Sequence, residues 1–242
     1  MKVDSLPAAI IFDLDDTIIA YGDPEECWRT VCSRFVSRVG VSSVDELLNA
    51  INGVREWYWS DLDRHRQGRL VLLDTRRQIV TMAFSCLGID APGVAIELAG
   101  AYAEMREGRA RPFPGVLDTL QYFRSRGVRL GLVTNGGSEM QRGKIERFGL
   151  VPHFDCILIE GEFGAGKPDE SVFRHMLEQL GVAAGDTWMV GDDLQRDIAG
   201  AQALGLYTIW VDWRGGGLPE SSPARPDLIV RNPSELKYHS NS

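Results

Sequence analysis

The feature that most constrains this chain is a short apolar run that stops at a carboxylate cluster: Ala8-Ala9-Ile10-Ile11-Phe12, followed at once by Asp13-Leu14-Asp15-Asp16-Thr17. A run with no polar side suits a strand buried on both faces, which is the situation of a parallel sheet with helices on each side. The same pattern returns downstream. Strands are expected at Val128 to Val133, Cys156 to Ile159, Thr187 to Val190 and Tyr207 to Val211. Between them the spacing predicts helices at Ser138 to Phe148, along the face Val172, Phe173, Met176, Leu177 and Leu180, and from Asp197 to Leu204. Such alternation predicts an α/β fold whose ligands bind beyond the carboxyl ends of the strands. Gly215 to Pro226 reads as a surface loop.

The stretch after the first carboxylates is different. Trp28, Val31, Cys32, Phe35, Val36 and Val39 recur at helical spacing and Gly40 is placed to stop the helix. Further helical faces lie at Val44, Leu47, Leu48 and Ile51, at Ile79, Val80, Ala83, Phe84 and Leu87, and at Val94, Leu98, Ala101, Tyr102 and Met105. Arg111-Pro112-Phe113-Pro114-Gly115 then breaks the pattern, because proline lacks a donor and glycine relaxes the backbone. Residues 1–20 and 111–242 are therefore expected to form one domain, with 21–110 an all-helical insert. A chain of 242 residues with 44% hydrophobic content can bury a full core and still supply a smaller second unit.

Charge narrows the partners. With 26 basic and 34 acidic residues the net charge is −8, which repels nucleic acid and anionic membranes at long range. No apolar run reaches membrane-spanning length. Cys27, Cys32, Cys86 and Cys156 form no C-x-x-C pair, no signal segment comes after Met1, and each cysteine reads as a small buried hydrophobe. The expectation is a cytoplasmic protein, monomer or homodimer, acting on a small molecule.

Four polar groups stand just after predicted strands: Asp13 to Thr17, Thr134-Asn135-Gly136, Gly166-Lys167-Pro168-Asp169, and Gly191-Asp192-Asp193 with Asp197. On a parallel sheet they would converge on one edge. Asp13, Asp15, Asp192 and Asp193 together are tolerable only if a cation or protons offset them. Mg2+ is the expected cation, since it takes oxygen ligands and the group contains no His or Cys. A carboxylate, with a reference pKa of ~3.9, is ionised at neutral pH, so Asp13 could attack phosphorus without a base. The metal and Lys167 would offset its repulsion from phosphate, with the Thr134 hydroxyl completing the cradle. Asp15, two residues on, could reach the leaving oxygen as acid and later serve as base, crowding by carboxylates helping it to hold a proton.

In this order, Asp13-x-Asp15-x-Thr17, Thr134-Asn135, Lys167-Pro168 and Gly191-Asp192 with Asp197 resemble the four motifs of the haloacid dehalogenase superfamily across the whole chain. The resemblance implies a Rossmann-like core and an inserted helical cap. It implies a metal held by Asp13, the main-chain carbonyl of Asp15 and Asp192, and substrate contacts from Thr134, Asn135 and Lys167. Thr17, Asp193 and Asp197 match supporting positions, the two aspartates orienting Lys167 or metal-bound water. Members that cleave carbon–halogen bonds lack the second aspartate of the first motif, so Asp15 favours a phosphatase acting on a phosphate monoester through phospho-Asp13. Leu132 to Gly136, Gln141-Arg142, Lys144-Ile145-Glu146 and Met189 to Leu194 resemble the branch of N-acylneuraminate-9-phosphatase and nucleoside monophosphate phosphatases. A phosphomutase, or a phospho-ligand-binding protein without turnover, would carry the same residues. In the insert, Trp57-Tyr58-Trp59 and Arg64-His65-Arg66 could grip the organic part of a substrate or simply pack and face water; Arg76-Arg77 reads the same way.

Overall fold

The computed structural model describes residues 6–239. They form two compact units, one from the chain up to Ala20 together with the chain from Arg111 onward, the other from Tyr21–Ala110. The strands are β1 Ala9–Phe12, β2 Ile19–Ala20, β3 Arg111–Pro112, β4 Arg129–Thr134, β5 Cys156–Ile159, β6 Thr187–Gly191, β7 Tyr207–Val211 and β8 Leu228–Val230. Six of them make one parallel sheet in the order β5-β4-β1-β6-β7-β8, while β2 and β3 form a small antiparallel pair. The chain moves outward from β1 to β5, then returns to β6 on the other flank of β1, which makes the end of β1 the switch point of the sheet. Phe12 lies level with Leu132 on β4 and Val190 on β6. Asp13 therefore leaves the sheet level with Val133 and Gly191, with Thr134 and Asp192 one residue further.

The helices of the inserted unit are α1 Pro24–Val39, α2 Val44–Ser60, α3 Leu62–Leu70, α4 Leu72–Cys86 and α5 Pro92–Arg109. The sheet unit carries α6 Val116–Arg124, α7 Ser138–Arg147, α8 Glu160–Phe163 and α9 Glu170–Leu180. Every residue of β1 is buried, as an unbroken apolar strand requires. Ala9 and Ile11 pack with Val133, Met189 and the α9 residues Val172, Phe173 and Met176. On the opposite face Trp188, level with Ile10, meets Phe123 edge-on at 6.2 Å between centroids. The sheet and α9 approach so closely at Gly131 that an added Cβ would stand 2.6 Å from Met176 Sδ and 3.2 Å from Leu180 Cδ1. Gly131→Ala is therefore expected to overpack this face and cost ~1–3 kcal/mol, read as a lower urea midpoint with an unchanged slope. A midpoint equal to that of the parent would show that Met176 moves aside freely.

In the helical unit, local chemistry sets the ends and packing sets the rest. Asp23 accepts from the Glu25 amide at 2.9 Å with Pro24 in the first turn, and α1 stops at Gly40 in the left-handed region (φ 73°). Ser43 Oγ accepts from the Glu46 amide at 3.1 Å, while the Glu46 carboxylate reaches back to the Ser42 amide at 2.8 Å. The inner faces form one cluster including Trp28, Val31, Cys32, Leu47, Ile51, Val80, Phe84 and Leu98. Trp28 and Tyr102 stack with ring centroids 3.7 Å apart.

Several details depart from the sequence pattern. The two-residue strands β2 and β3 are too short to carry an apolar run like that of the central strands, and β8, though apolar throughout as Leu228-Ile229-Val230, is a half-exposed strand at the sheet edge. The helix expected from Asp197 begins at Leu194 as a π-helical turn, because Asp193 caps it by accepting from the Gln195 and Arg196 amides at 3.0 and 2.7 Å. Gly215 to Pro226 contains no regular element. Cys27 and Cys32 are buried, and burial pushes the Cys32 thiol up to about 12. Cys86, by contrast, is exposed: it is the last residue of α4, where the apolar face has ended. No described helix is long and apolar enough to cross a membrane.

Candidate active site

Beyond the carboxyl end of β1 the chain turns sharply. The Asp16 amide donates to Ile19 O at 2.7 Å and the Ile18 amide to Leu14 O at 2.9 Å, with Asp16 in the left-handed region (φ 58°) that aspartate tolerates. This turn holds Asp13 at the sheet edge. Lys167, only 2% exposed, donates to Asp13 Oδ1 at 2.6 Å and forms an ion pair with Asp197 Oδ1, also at 2.6 Å. Burial opposes the charge on Lys167, but Asp13 and Asp197 together keep it protonated above its ordinary range. Asp197 is fixed from its other side, where Oδ2 accepts from the Asp193 amide at 3.0 Å. Gly191 leaves it room: a Cβ there would stand 2.2 Å from Asp197 Oδ2.

The carboxylates outnumber that one ammonium. Oxygens of Asp13, Asp192 and Asp197 all lie within 4.8 Å of one another. Burial, and next to it the charges of Asp197 and Asp15, push Asp13 up to about 7 despite the opposing pull of Lys167. Burial and then Asp13, Asp197, Asp16 and Asp193 push Asp192 well above the usual carboxylate range. The Asp192 side chain has no hydrogen-bond or ion-pair partner among the described residues. A divalent cation fits this arrangement: it would restore the ionised forms, and the donors are all oxygens. Because both Asp197 oxygens are taken, Asp13 and Asp192 are the carboxylates with capacity to hold it.

Asp15 points elsewhere. Its carboxylate accepts from Lys144 Nζ at 2.8 and 3.0 Å and from Gln141 Nε2 at 2.8 Å, both from α7. The sequence suggests only neighbouring carboxylates around Asp15, whereas its nearest charged partner is an ammonium. Gln141 also donates to Thr134 Oγ1 and to Asn135 O, the latter at 2.9 Å, tying α7 to the end of β4. Gln141 and Lys144 lie outside the four motifs and enter the sequence reading only through the branch resemblance, which gives them no role. The signal was present, since a long polar side chain three residues from another on one helix shares its face, and both are buried there.

Around this centre the remaining motif residues act mainly as supports. The side-chain amide of Asn135 is taken at both ends by the Lys167 main chain, donating to Lys167 O and accepting from Lys167 N, each at 2.8 Å. An amide with both ends engaged positions Lys167. The Lys167-Pro168 peptide is cis. Buried Glu160 accepts from the Gly136 amide at 2.9 Å and so braces the turn after β4. Thr134 is buried at the end of β4. Thr17 is fully buried, and its hydroxyl has no partner among the described residues. Asp193 caps the next helical turn and pairs with Arg196.

A family model described as haloacid dehalogenase-like hydrolase matches residues 7–205. The chain is 44% identical over 147 residues to a phosphoserine phosphatase of Thermus thermophilus, a match spanning 60% of this chain and 57% of the relative. To a glyceraldehyde 3-phosphate phosphatase of Methanopyrus kandleri it is 30% identical over 236 residues, 94% of each chain. It is 43% identical over 110 residues to the N-acylneuraminate-9-phosphatase of Rattus norvegicus, 45% of this chain and 44% of the relative. The fold matches that of the HAD-hydrolase YfnB from Bacillus subtilis, with a TM-score of 0.73 and 21% identity over 98% of this chain and 100% of that one.

Proposed function

We propose, since the chain belongs to the haloacid dehalogenase-like hydrolase family, that it is a Mg2+-dependent phosphatase hydrolysing a small phosphate monoester through a phospho-aspartate on Asp13. The observation that carries this reading is the buried set Asp13, Lys167, Asp197 and Asp192 at the switch point of the sheet. In this reading the sheet unit is the catalytic core and the helical unit its cap.

An Asp13 oxygen forms a bond to phosphorus as the ester oxygen leaves, and Asp15 delivers a proton to that oxygen. A water then attacks the phosphorus of phospho-Asp13, Asp15 takes its proton, and inorganic phosphate departs as the Asp13 carboxylate is regenerated. Lys167 holds positive charge beside Asp13 so that two anions can meet, and Asn135 and Asp197 hold Lys167. Mg2+, held by Asp13, Asp192 and the main-chain carbonyl of Asp15, would supply further charge neutralisation of the phosphoryl oxygens. The relatives named for small phosphate esters support the substrate class.

The test is release of phosphate from p-nitrophenyl phosphate, from the purified chain treated with EDTA and then returned to Mg2+. Activity is expected to disappear with chelation and come back with the metal. Turnover that ignores EDTA would remove the metal from the reading, and no turnover with any divalent ion would remove the phosphatase.

A further inference from the structure

The Asp192 carboxylate has no hydrogen-bond or ion-pair partner among the described residues, so its direction is set by the main chain that carries it. That main chain is held from two sides. β6 ends at Gly191, level with Trp210 on β7, and Asp192 lies one residue past this last rung of the ladder. Trp210 supplies a further rung from its side chain, the indole Nε1 donating to Asp192 O at 2.8 Å. The other end of the same peptide is engaged as well, since the Asp193 amide donates to Asp197 Oδ2 at 3.0 Å. A peptide is planar, so holding both its carbonyl and its amide, with Gly191 fixed in the sheet, leaves Asp192 little freedom to turn its side chain away. On the facing side Asp13 is tied to the same strand, its amide donating to Val190 O at 2.9 Å.

A buried indole N–H needs some acceptor, and Trp210 is buried against Ile198 and Ala224. What singles it out is the acceptor it takes. Of the two holds on the Asp192–Asp193 peptide, one belongs to Asp197, which is also committed to Lys167, and the other to this uncharged side chain. Asp192 and Trp210 also line, with Val211, Asp212, Trp213 and Arg214, a cavity of about 310 Å³. Water can therefore reach the carbonyl when the indole donor is removed, and the fold is not left with a stranded acceptor.

We propose that Trp210 is a positioning residue for the cation site: by holding the Asp192 carbonyl it keeps the Asp192 carboxylate turned toward Asp13. The inference rests on the proposed role of Asp192 as a ligand of Mg2+.

Trp210→Phe keeps a ring in the apolar cluster and removes the donor. Leu218→Ala trims a neighbour in that cluster and leaves the donor in place, so it reports what loosened packing alone does. The thermal midpoint of each protein is followed as Mg2+ is returned to the EDTA-treated chain, a readout that needs no turnover. The concentration giving half the rise should be about 10- to 100-fold higher in Trp210→Phe than in wild type, and within about twofold of wild type in Leu218→Ala. Phosphate release should show the same split, with more Mg2+ needed for half activity but kcat at saturating Mg2+ within about threefold. Benzothienylalanine at position 210, which keeps the two-ring shape without the N–H, repeats the test if phenylalanine unfolds the chain. Equal half-rise concentrations in wild type and the donor-free variant, or an equal increase in Leu218→Ala, would overturn the proposal. Amide exchange in the metal-free protein separates this failure from that of the metal reading. If Mg2+ leaves the wild-type midpoint unmoved, the metal falls from the proposed function. Faster exchange from Gly191 to Leu194 in Trp210→Phe, but not in Leu218→Ala, would still support the hold on Asp192, and equal exchange in all three proteins would overturn it.

Discussion

Asp13→Asn is expected to lower Mg2+-dependent phosphate release on the order of 10⁴-fold or more, because the amide oxygen cannot replace a carboxylate as nucleophile. The substitution is nearly isosteric, and Lys167 keeps Asp197 at 2.6 Å, so the scaffold should survive. Stability offers an independent readout. In the metal-free protein burial pushes Asp13 up to about 7, so the native state holds a proton that the unfolded chain has released. Stability therefore falls as pH rises from the ordinary carboxylate range through about 7, and the asparagine variant lacks that contribution. Acid-quenched wild type incubated with substrate should carry one phosphoryl group on the peptide containing Asp13, and the variant none. Full activity in Asp13→Asn would show that phosphorus is attacked by something else.

Which features are legible in the sequence depends on the range of the interactions that set them. The central strands are legible because burial on both faces writes an unbroken apolar run, as in Ile10-Ile11-Phe12 and Leu130 to Val133. The short β2 and β3 bury little and are fixed by each other across the chain, with Ile19 paired to Pro112, so no local pattern marks them. The same holds at the site. Asp13 and Asp192 leave the ends of adjacent strands, and a parallel sheet gathers the residues at its carboxyl edge, so their convergence can be read from the strand pattern alone. The partners of Asp15 come instead from one face of α7, and the engagement of Asn135 with the Lys167 main chain depends on a loop 32 residues away.

The pairing of Asp15 with Lys144 bears directly on the acid and base steps. Lys144 has a side chain only 8% exposed and Asp15 one that is 35% exposed, so one carboxylate edge is anchored while the group still meets solvent. Gln141 and Lys144 thus fix where Asp15 stands, and a proton shuttle needs that placement as much as it needs a titratable group. Asp15→Asn keeps the shape and a hydrogen-bond acceptor for Lys144 and Gln141 but cannot carry the proton. On glycerol 3-phosphate, whose alkoxide leaves poorly, kcat/KM should fall about 10²- to 10⁴-fold. On p-nitrophenyl phosphate the first step should fall much less, since nitrophenolate departs without a proton. The water attack still lacks its base, so rapid mixing should show a burst of nitrophenolate near one equivalent per chain and then slow turnover. Equal losses on both esters with no burst would assign Asp15 to holding α7 against the end of β4, and the proton would have to travel by another group.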